Sequence, residues 1–316
     1  YEMLRSLVGS EMCIRDRGFL LARDLFGAEG AIVAGVAYAY APYQFLDAMV
    51  RSNLPESVAL ALLPFVLWAF RRVAIQGGRR WFLAAVGLLT ALYLDHNISS
   101  LLFTPLLLAY VGLLAWLHRQ HRYWPWTVLA LALALGLAAF LWLPALAEKG
   151  AVQLYLTRAT RNNDFHYNFL GLAEIFAPPA AVDTSLMNPP MTINLGLAQV
   201  ALAALGVTNW RPSGPLWRER HLSLLFFAAC AVLFIFLSTP ASLWLWEHVP
   251  LLPFVQFPWR CVGRAALPLA LLSGAAIPTP GSASRSPLSR IWPCLLYTSD
   301  AADDLLCVDL GGRRII

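Results

Sequence analysis

The sequence predicts an all-α membrane protein, a polytopic bundle of about eight transmembrane helices. Of its 316 residues, 59% are hydrophobic and only 13% are charged, and the mean hydropathy is +0.61. A soluble domain usually carries about 25% charged residues and about 45–50% apolar ones. The 12 Trp fit a protein that places aromatic rings at both membrane interfaces. The solvent of this chain is therefore predicted to be lipid.

The two ends of the chain do not share this composition. Residues 1–17 and 294–316 are polar and carry mixed charge. Both resemble translated sequencing-adapter read-through, so we interpret them as artefacts and assign the membrane domain to 18–293; genuine terminal tails are the alternative. The domain then keeps only Cys230 and Cys261, which excludes a disulfide framework or a cysteine zinc motif.

Eight apolar segments predict the crossings in chain order. A run of about 17–25 apolar residues can cross a bilayer, and helices packed inside a bundle can be shorter. The predicted helices are 28–43, 57–70, 81–95, 99–117, 124–146, 192–209, 222–238 and 264–279.

The basic residues alternate between the two sides that these helices define. The richer side has Arg23, Arg71, Arg72, Arg79, Arg80, Arg119, Arg122, Arg211, Arg218, Arg220, Arg285 and Arg290, and the other side has Arg51, Lys149, Arg158, Arg161, Arg260 and Arg264. Because Arg and Lys accumulate in cytoplasmic loops, the richer side is predicted to face the cytoplasm.

The long loops lie on the predicted outer side. They are 147–191 and the proline-rich 239–263. The three tryptophans of the second loop, Trp244, Trp246 and Trp259, indicate a segment that lies in the membrane interface or dips back into the membrane. Binding or chemistry is therefore expected on the outer face.

The stretch "YLDHNISSL" places Asp95, His96 and Asn97 inside an apolar run from 81 to 117. That run would be about 55 Å long as one helix, so it must form a hairpin with its turn near these residues, and Ser99 is expected to cap the next helix. The structural interpretation is a turn and nothing more. The functional interpretation is that ionisable groups at this depth face a hydrated cavity lined by protein.

Four other polar residues of the outer side also allow two interpretations. Asp47, Arg51 and Glu56 follow the first predicted helix; either Glu56 only supports the start of the next helix, or all three residues line the same cavity as His96. Arg260 is either an interfacial anchor or a bidentate ligand for a lipid phosphate.

Motifs for other chemistries are absent from the sequence. It contains no GxGxxG, P-loop, HExxH or GxSxG motif. No cofactor is predicted, since no second His lies near His96 to indicate a divalent metal, and no nucleic-acid partner is expected.

The order of several segments resembles a known family. The segments are "ARDLFGAEGAIVAGVAYAYAPYQFLDAMVRSNLPESVALALLPFVLWAF", "LDHNISSLL", "FLWLPALAEK", "NLGLAQVALAALG" and "FVQFPWRCVGRAALPLAL". They resemble the bacterial membrane proteins described as 6-pyruvoyl-tetrahydropterin synthase-related, which are similar in layout to GT-C glycosyltransferases and to the large YfhO-type membrane proteins.

This resemblance implies an enzyme in the prokaryotic inner membrane that uses a polyprenyl-phosphate-linked sugar on the outer face. It also implies a catalytic carboxylate in a first outer loop, which we expect upstream of residue 18, so no catalytic residue is assigned and the chain is expected to be an inactive fragment. The alternatives are a non-catalytic membrane protein of envelope assembly and a transporter of lipid or oligosaccharide.

Overall fold

The structure of the chain is a computed structural model. It describes 2–118, 122–148, 151, 163–178, 192–209 and 217–277, with side chains described from residue 19 onward and not for residue 209. Every regular element within these ranges is helical, which confirms the predicted all-α class.

The first helix, α1 (Glu2–Ala39), is broken at Gly27, whose φ of 83° suits glycine. It ends at Ala39, earlier than the predicted 43, because Pro42 starts a separate short helix, α2 (Pro42–Phe45). A π-helical turn over Leu46–Val50 follows. The interpretation of 1–17 as an artefact stays a prediction, and 294–316 lies outside the described residues.

The next three helices run up and down through the bundle. They are α3 (Leu54–Gln76), α4 (Arg79–Asp95) and α5 (Asn97–His118). The hairpin predicted for the run from 81 to 117 is present, and its turn is the single residue His96.

The segment predicted as one helix over 124–146 is two helices. Helix α6 (Trp124–Leu137) and helix α7 (Ala139–Ala147) meet at an angle of 65°. The break leaves carbonyl groups without helical partners, and the indole of Trp142 donates to the carbonyl of Leu135 at 2.9 Å.

Five α-helices follow in the described part of the chain. They are α8 (Leu172–Ile175), α9 (Leu197–Asn209), α10 (Trp217–Ser238), α11 (Leu243–His248) and α12 (Arg260–Gly274). Of these, only α10, with 22 residues, is as long as α5. Residues 192–196 are not helical, so the predicted segment 192–209 begins late. In 239–263, Trp246 and Trp259 are buried and Trp244 is exposed; their position relative to the membrane stays a prediction.

Three helices are long and apolar enough to cross a membrane in the described part of the chain, and the bent α6–α7 pair makes a fourth. They are α3, α5 and α10. Four of the eight predicted segments meet this criterion, whereas α4, α9 and α12, with 17, 13 and 15 residues, are too short for it.

Helix α12 explains why a short helix can belong to the bundle. All of its residues are buried, and it packs against α1, α9 and α10. Small residues allow the backbones to approach closely: a Cβ on Gly30 would lie 2.6 Å from the carbonyl oxygen of Gly274, and one on Gly206 would lie 2.0 Å from that of Leu272. Because protein surrounds α12 on all sides, this helix can be shorter than the bilayer is thick.

Charged side chains gather at the two ends of the bundle. At the end where α3 finishes, Arg72 bonds Asp24 of α1 at 2.5 Å and Arg71 bonds Glu219 of α10. Glu56, in the first turn of α3, belongs to a cluster at the opposite end. Fifteen residues separate Glu56 from Arg71, which is about 22 Å along a helix. This is less than the roughly 30 Å of a hydrocarbon core, so both groups lie near or within its edges.

The orientation of the bundle is a prediction that cysteine labelling can test. Gln76→Cys lies at the end predicted to be cytoplasmic, and Tyr167→Cys lies on the opposite side, where Tyr167 is 63% exposed. We expect a membrane-impermeant maleimide added to intact cells to label Tyr167→Cys, and to label Gln76→Cys only after permeabilisation. The parent chain supplies the background, and the reverse pattern would invert the topology.

Candidate functional site

Polar side chains from three separate segments, 43–57, 96–99 and 260–264, meet at the end of the bundle where α3, α5 and α12 begin. We name this group the outer cluster. Its members are Tyr43, Asp47, Arg51, Asn53, Glu56, Ser57, His96, Ser99, Arg260 and Arg264.

Glu56 is the centre of the outer cluster. Its side chain is fully buried, and its Oε1 accepts hydrogen bonds from the Tyr43 hydroxyl at 2.9 Å and from Arg264. Its Oε2 accepts from Arg51 and from Asn53, both at 2.9 Å. Asn53 is the N-cap of α3. Glu56 therefore lies at the start of a helix, as the sequence predicts, and also belongs to a buried hydrogen-bond network.

Asp47 is the second carboxylate of the outer cluster. It lies in the π-helical turn, is fully buried, and is bonded by Arg51 and, at 2.9 Å, by the Ser57 hydroxyl. Burial, followed by repulsion from Glu56, raises the pKa of Asp47 to about 7.

Arg264 carries a charge into the protein interior. It is 2% exposed, and its guanidinium donates to Glu56, to the Arg260 carbonyl at 3.0 Å and to Ser99 Oγ at 2.5 Å. A charge this deeply buried needs a partner of opposite sign. Arg264 thereby ties the first turns of α12, α3 and α5 to one another.

Arg260 is buried but only sparsely bonded. It is 8% exposed, and its guanidinium carbon lies 4.9 Å from the ring centroid of Phe257 and 5.9 Å from that of Trp259. Nη1 donates to the Val255 carbonyl at 3.3 Å. Nε lies 3.8 Å from Glu56 Oε2 and has no hydrogen-bond partner in the described part of the structure. A guanidinium has five N–H donors, so most of those on Arg260 are available.

His96 joins the outer cluster through Ser99. The Nδ1 atom of His96 accepts the backbone N–H of Ser99 at 3.2 Å and lies 2.8 Å from Ser99 Oγ. Because Nδ1 accepts the Ser99 N–H, it is unprotonated in this arrangement, and the Ser99 hydroxyl can donate to it as well. Burial lowers the pKa of His96 to about 4. His96 therefore caps α5, the role expected for Ser99, and Ser99 instead connects His96 to Arg264.

The structure places the predicted site residues in two groups. It brings Asp47, Arg51, Glu56, His96 and Arg260 into the outer cluster.

It does not bring Asp95 and Asn97 there. Asn97 is exposed, and Asp95 is partly exposed with one carboxylate oxygen buried and unpartnered in the described part of the chain. Neighbouring residues at a helix end point in different directions, so only one of three consecutive side chains faces the cluster.

The sequence reasoning did not propose five members of the outer cluster as site residues: Tyr43, Asn53, Ser57, Ser99 and Arg264. Arg264 follows Arg260 by four residues, which places both on one helix face, so this spacing was an available signal. Ser99 was considered only as a cap. No local sequence signal connects Tyr43 with Glu56, since their contact depends on how α2 packs against α3.

The buried polar network, inside an apolar bundle with helices of crossing length, defines a multi-pass helical membrane protein. The chain belongs to the 6-pyruvoyl-tetrahydropterin synthase-related family: the family described as "6-pyruvoyl-tetrahydropterin synthase related domain; membrane protein" matches residues 17–288. No curated protein and no solved structure matches the chain. Its place in a membrane therefore rests on the family and on the apolar helices.

The neutral state of His96 predicts a pH dependence. The folded pKa of about 4 lies below the unfolded value of about 6.5, so falling pH protonates His96 in the unfolded chain first and favours unfolding. Between pH 7.5 and 5, we expect the thermal midpoint of the detergent-solubilised protein to fall more for the parent than for His96→Gln. Asn97→Gln, at an exposed neighbour that does not titrate, is the matched control and should fall like the parent. Equal losses for the parent and His96→Gln would contradict the assignment.

Proposed function

We propose that this protein is a GT-C-like membrane glycosyltransferase. It takes sugar from a polyprenyl-phosphate-linked donor at the outer face of the prokaryotic inner membrane, and the outer cluster holds the donor phosphate. The observation that carries the proposal is the Arg260 guanidinium, buried at the membrane edge with most of its donors unused.

The charge balance of the outer cluster supports an anionic ligand. Its three guanidinium groups, Arg51, Arg260 and Arg264, face two carboxylates, Asp47 and Glu56. Arg51 and Arg264 are hydrogen-bonded to those carboxylates, whereas Arg260 is only near one. The excess positive charge therefore falls on Arg260.

The surroundings of Arg260 suit a phosphate on a lipid. Aromatic contacts with Phe257 and Trp259 hold the guanidinium plane in place, and a planar fork of N–H groups matches a phosphate bidentately. Leu251 and Phe254, in the same loop, are 43% and 37% exposed. They offer apolar surface for the first isoprene units of a polyprenyl chain.

The two carboxylates of the outer cluster are not assigned as the catalytic base. Asp47 and Glu56 are both fully buried and bonded to arginines, so an acceptor hydroxyl cannot reach them in this arrangement. Their role in the proposal is to orient the guanidinium groups. The base that activates the acceptor stays unassigned.

Binding of a short-chain polyprenyl monophosphate tests the proposal. We expect Arg260→Gln to weaken it about tenfold or more, because hydrogen bonds to charged groups are worth about 1.5–3 kcal/mol and 1.4 kcal/mol is a factor of ten. Arg260→Lys should recover part of the affinity, since it keeps the charge but loses the bidentate fork. Arg218→Gln, at an exposed arginine of the opposite end, is the matched control.

Native mass spectrometry in detergent can measure this binding for all four proteins. Equal binding by the parent and Arg260→Gln, with both folded, would contradict the phosphate site. Binding that depends on Arg260 without sugar transfer from a polyprenyl-phosphate donor would remove the catalytic part of the proposal. It would then favour the transporter or envelope-assembly alternative.

A further inference from the structure

A second binding feature lies at the opposite end of the bundle, between α3, α4 and α6. It is a cavity of about 490 Å³. Its lining residues are Val73, Gly78, Arg79, Phe82, Leu83 and Trp126. The volume is within the range of roughly 300–1,000 Å³ typical of ligand pockets.

The wall of the cavity is apolar and open to the membrane side. Phe82 and Trp126 meet edge to face with ring centroids 5.6 Å apart. Leu83 and Trp126 are 55% and 53% exposed, and exposed apolar side chains on membrane helices face lipid. The α3–α4 turn is fixed close by, since a Cβ on Gly77 would lie 2.4 Å from the Tyr123 ring.

The rim of the cavity carries unbalanced positive charge. Arg72 is paired with Asp24 and Arg71 with Glu219. Arg79 lines the cavity, is exposed, and makes no ion pair with any residue that the structure describes. Arg80 beside it is also exposed and lies over Trp81 at 4.8 Å. The rim therefore favours an anion at membrane level.

We propose that this cavity binds one anionic phospholipid of the cytoplasmic leaflet. The phosphate lies against Arg79, and the upper part of one acyl chain lies along Phe82, Leu83 and Trp126. Basic pockets between transmembrane helices on the cytoplasmic side are a recurring way to bind anionic head groups. The leaflet follows from the arginine distribution, and the site is separate from the outer cluster.

Photo-crosslinking in nanodiscs of phosphatidylcholine tests this site. Trace phosphatidylglycerol and phosphatidylcholine probes, with a diazirine near the carboxyl end of one acyl chain, are compared by peptide mapping. We expect the phosphatidylglycerol probe to label the peptides with Phe82, Leu83 and Trp126 several-fold more than the phosphatidylcholine probe. Arg79→Gln should abolish this excess, and Arg218→Gln, at an exposed arginine of the same end, should keep it.

Competition gives a readout that does not depend on a variant. Unlabelled phosphatidylglycerol should displace the probe from these peptides, and unlabelled phosphatidylcholine should not. Equal labelling by both probes would overturn the proposal by showing an apolar groove without head-group selection. An excess that persists in Arg79→Gln, or labelling that maps elsewhere, would also overturn it.

Discussion

Arg264 lies near the start of the most buried helix of the structure, with 2% of its surface exposed. An unpaired guanidinium at such a position would be far too costly, so the chain must supply a carboxylate at the same depth. Glu56 supplies it across 208 positions of sequence. This pairing fixes the first turn of α3 against the first turn of α12, and Ser99 adds the first turn of α5. Placement of the other outer residues depends on these three helix starts.

The need to pair buried charges also produces a difference between the two ends of the bundle. At the end with Asp24 and Glu219, each of these carboxylates is bonded to an arginine, and exposed arginines, Arg79 among them, carry positive charge that these pairs leave unbalanced. At the outer end, Glu56 is shared by Arg51 and Arg264 and cannot also satisfy Arg260. Both ends therefore present a cationic group at membrane level: Arg260 is buried at the outer end, and Arg79 is exposed at the other end.

Patterns that depend on length were predictable from the sequence. The run from 81 to 117 had to turn near its middle, and it turns at His96. Patterns that depend on packing were not predictable. The break at Ala138 lies in a uniformly apolar run that carries no breaker at that residue. Helix α12 is less apolar than α9 and α10, although it is the buried centre, because it carries Arg260 and Arg264. The site was partly predictable: depth indicated His96, and the spacing from Arg260 was an available signal for Arg264, whereas the partner Tyr43 required the fold.

A double-mutant cycle on Glu56 and Arg264 tests the central claim most directly. Free energies of unfolding would be measured in detergent for the parent, Glu56→Gln, Arg264→Met and the double variant. Removing one partner of a buried ion pair costs about 3–5 kcal/mol, and residues in one network couple by about 0.5–3 kcal/mol. The account predicts that the double variant is less destabilised than the sum of the two single variants by more than about 1 kcal/mol. Additivity within about 0.5 kcal/mol would contradict the claim that this pair organises the outer end.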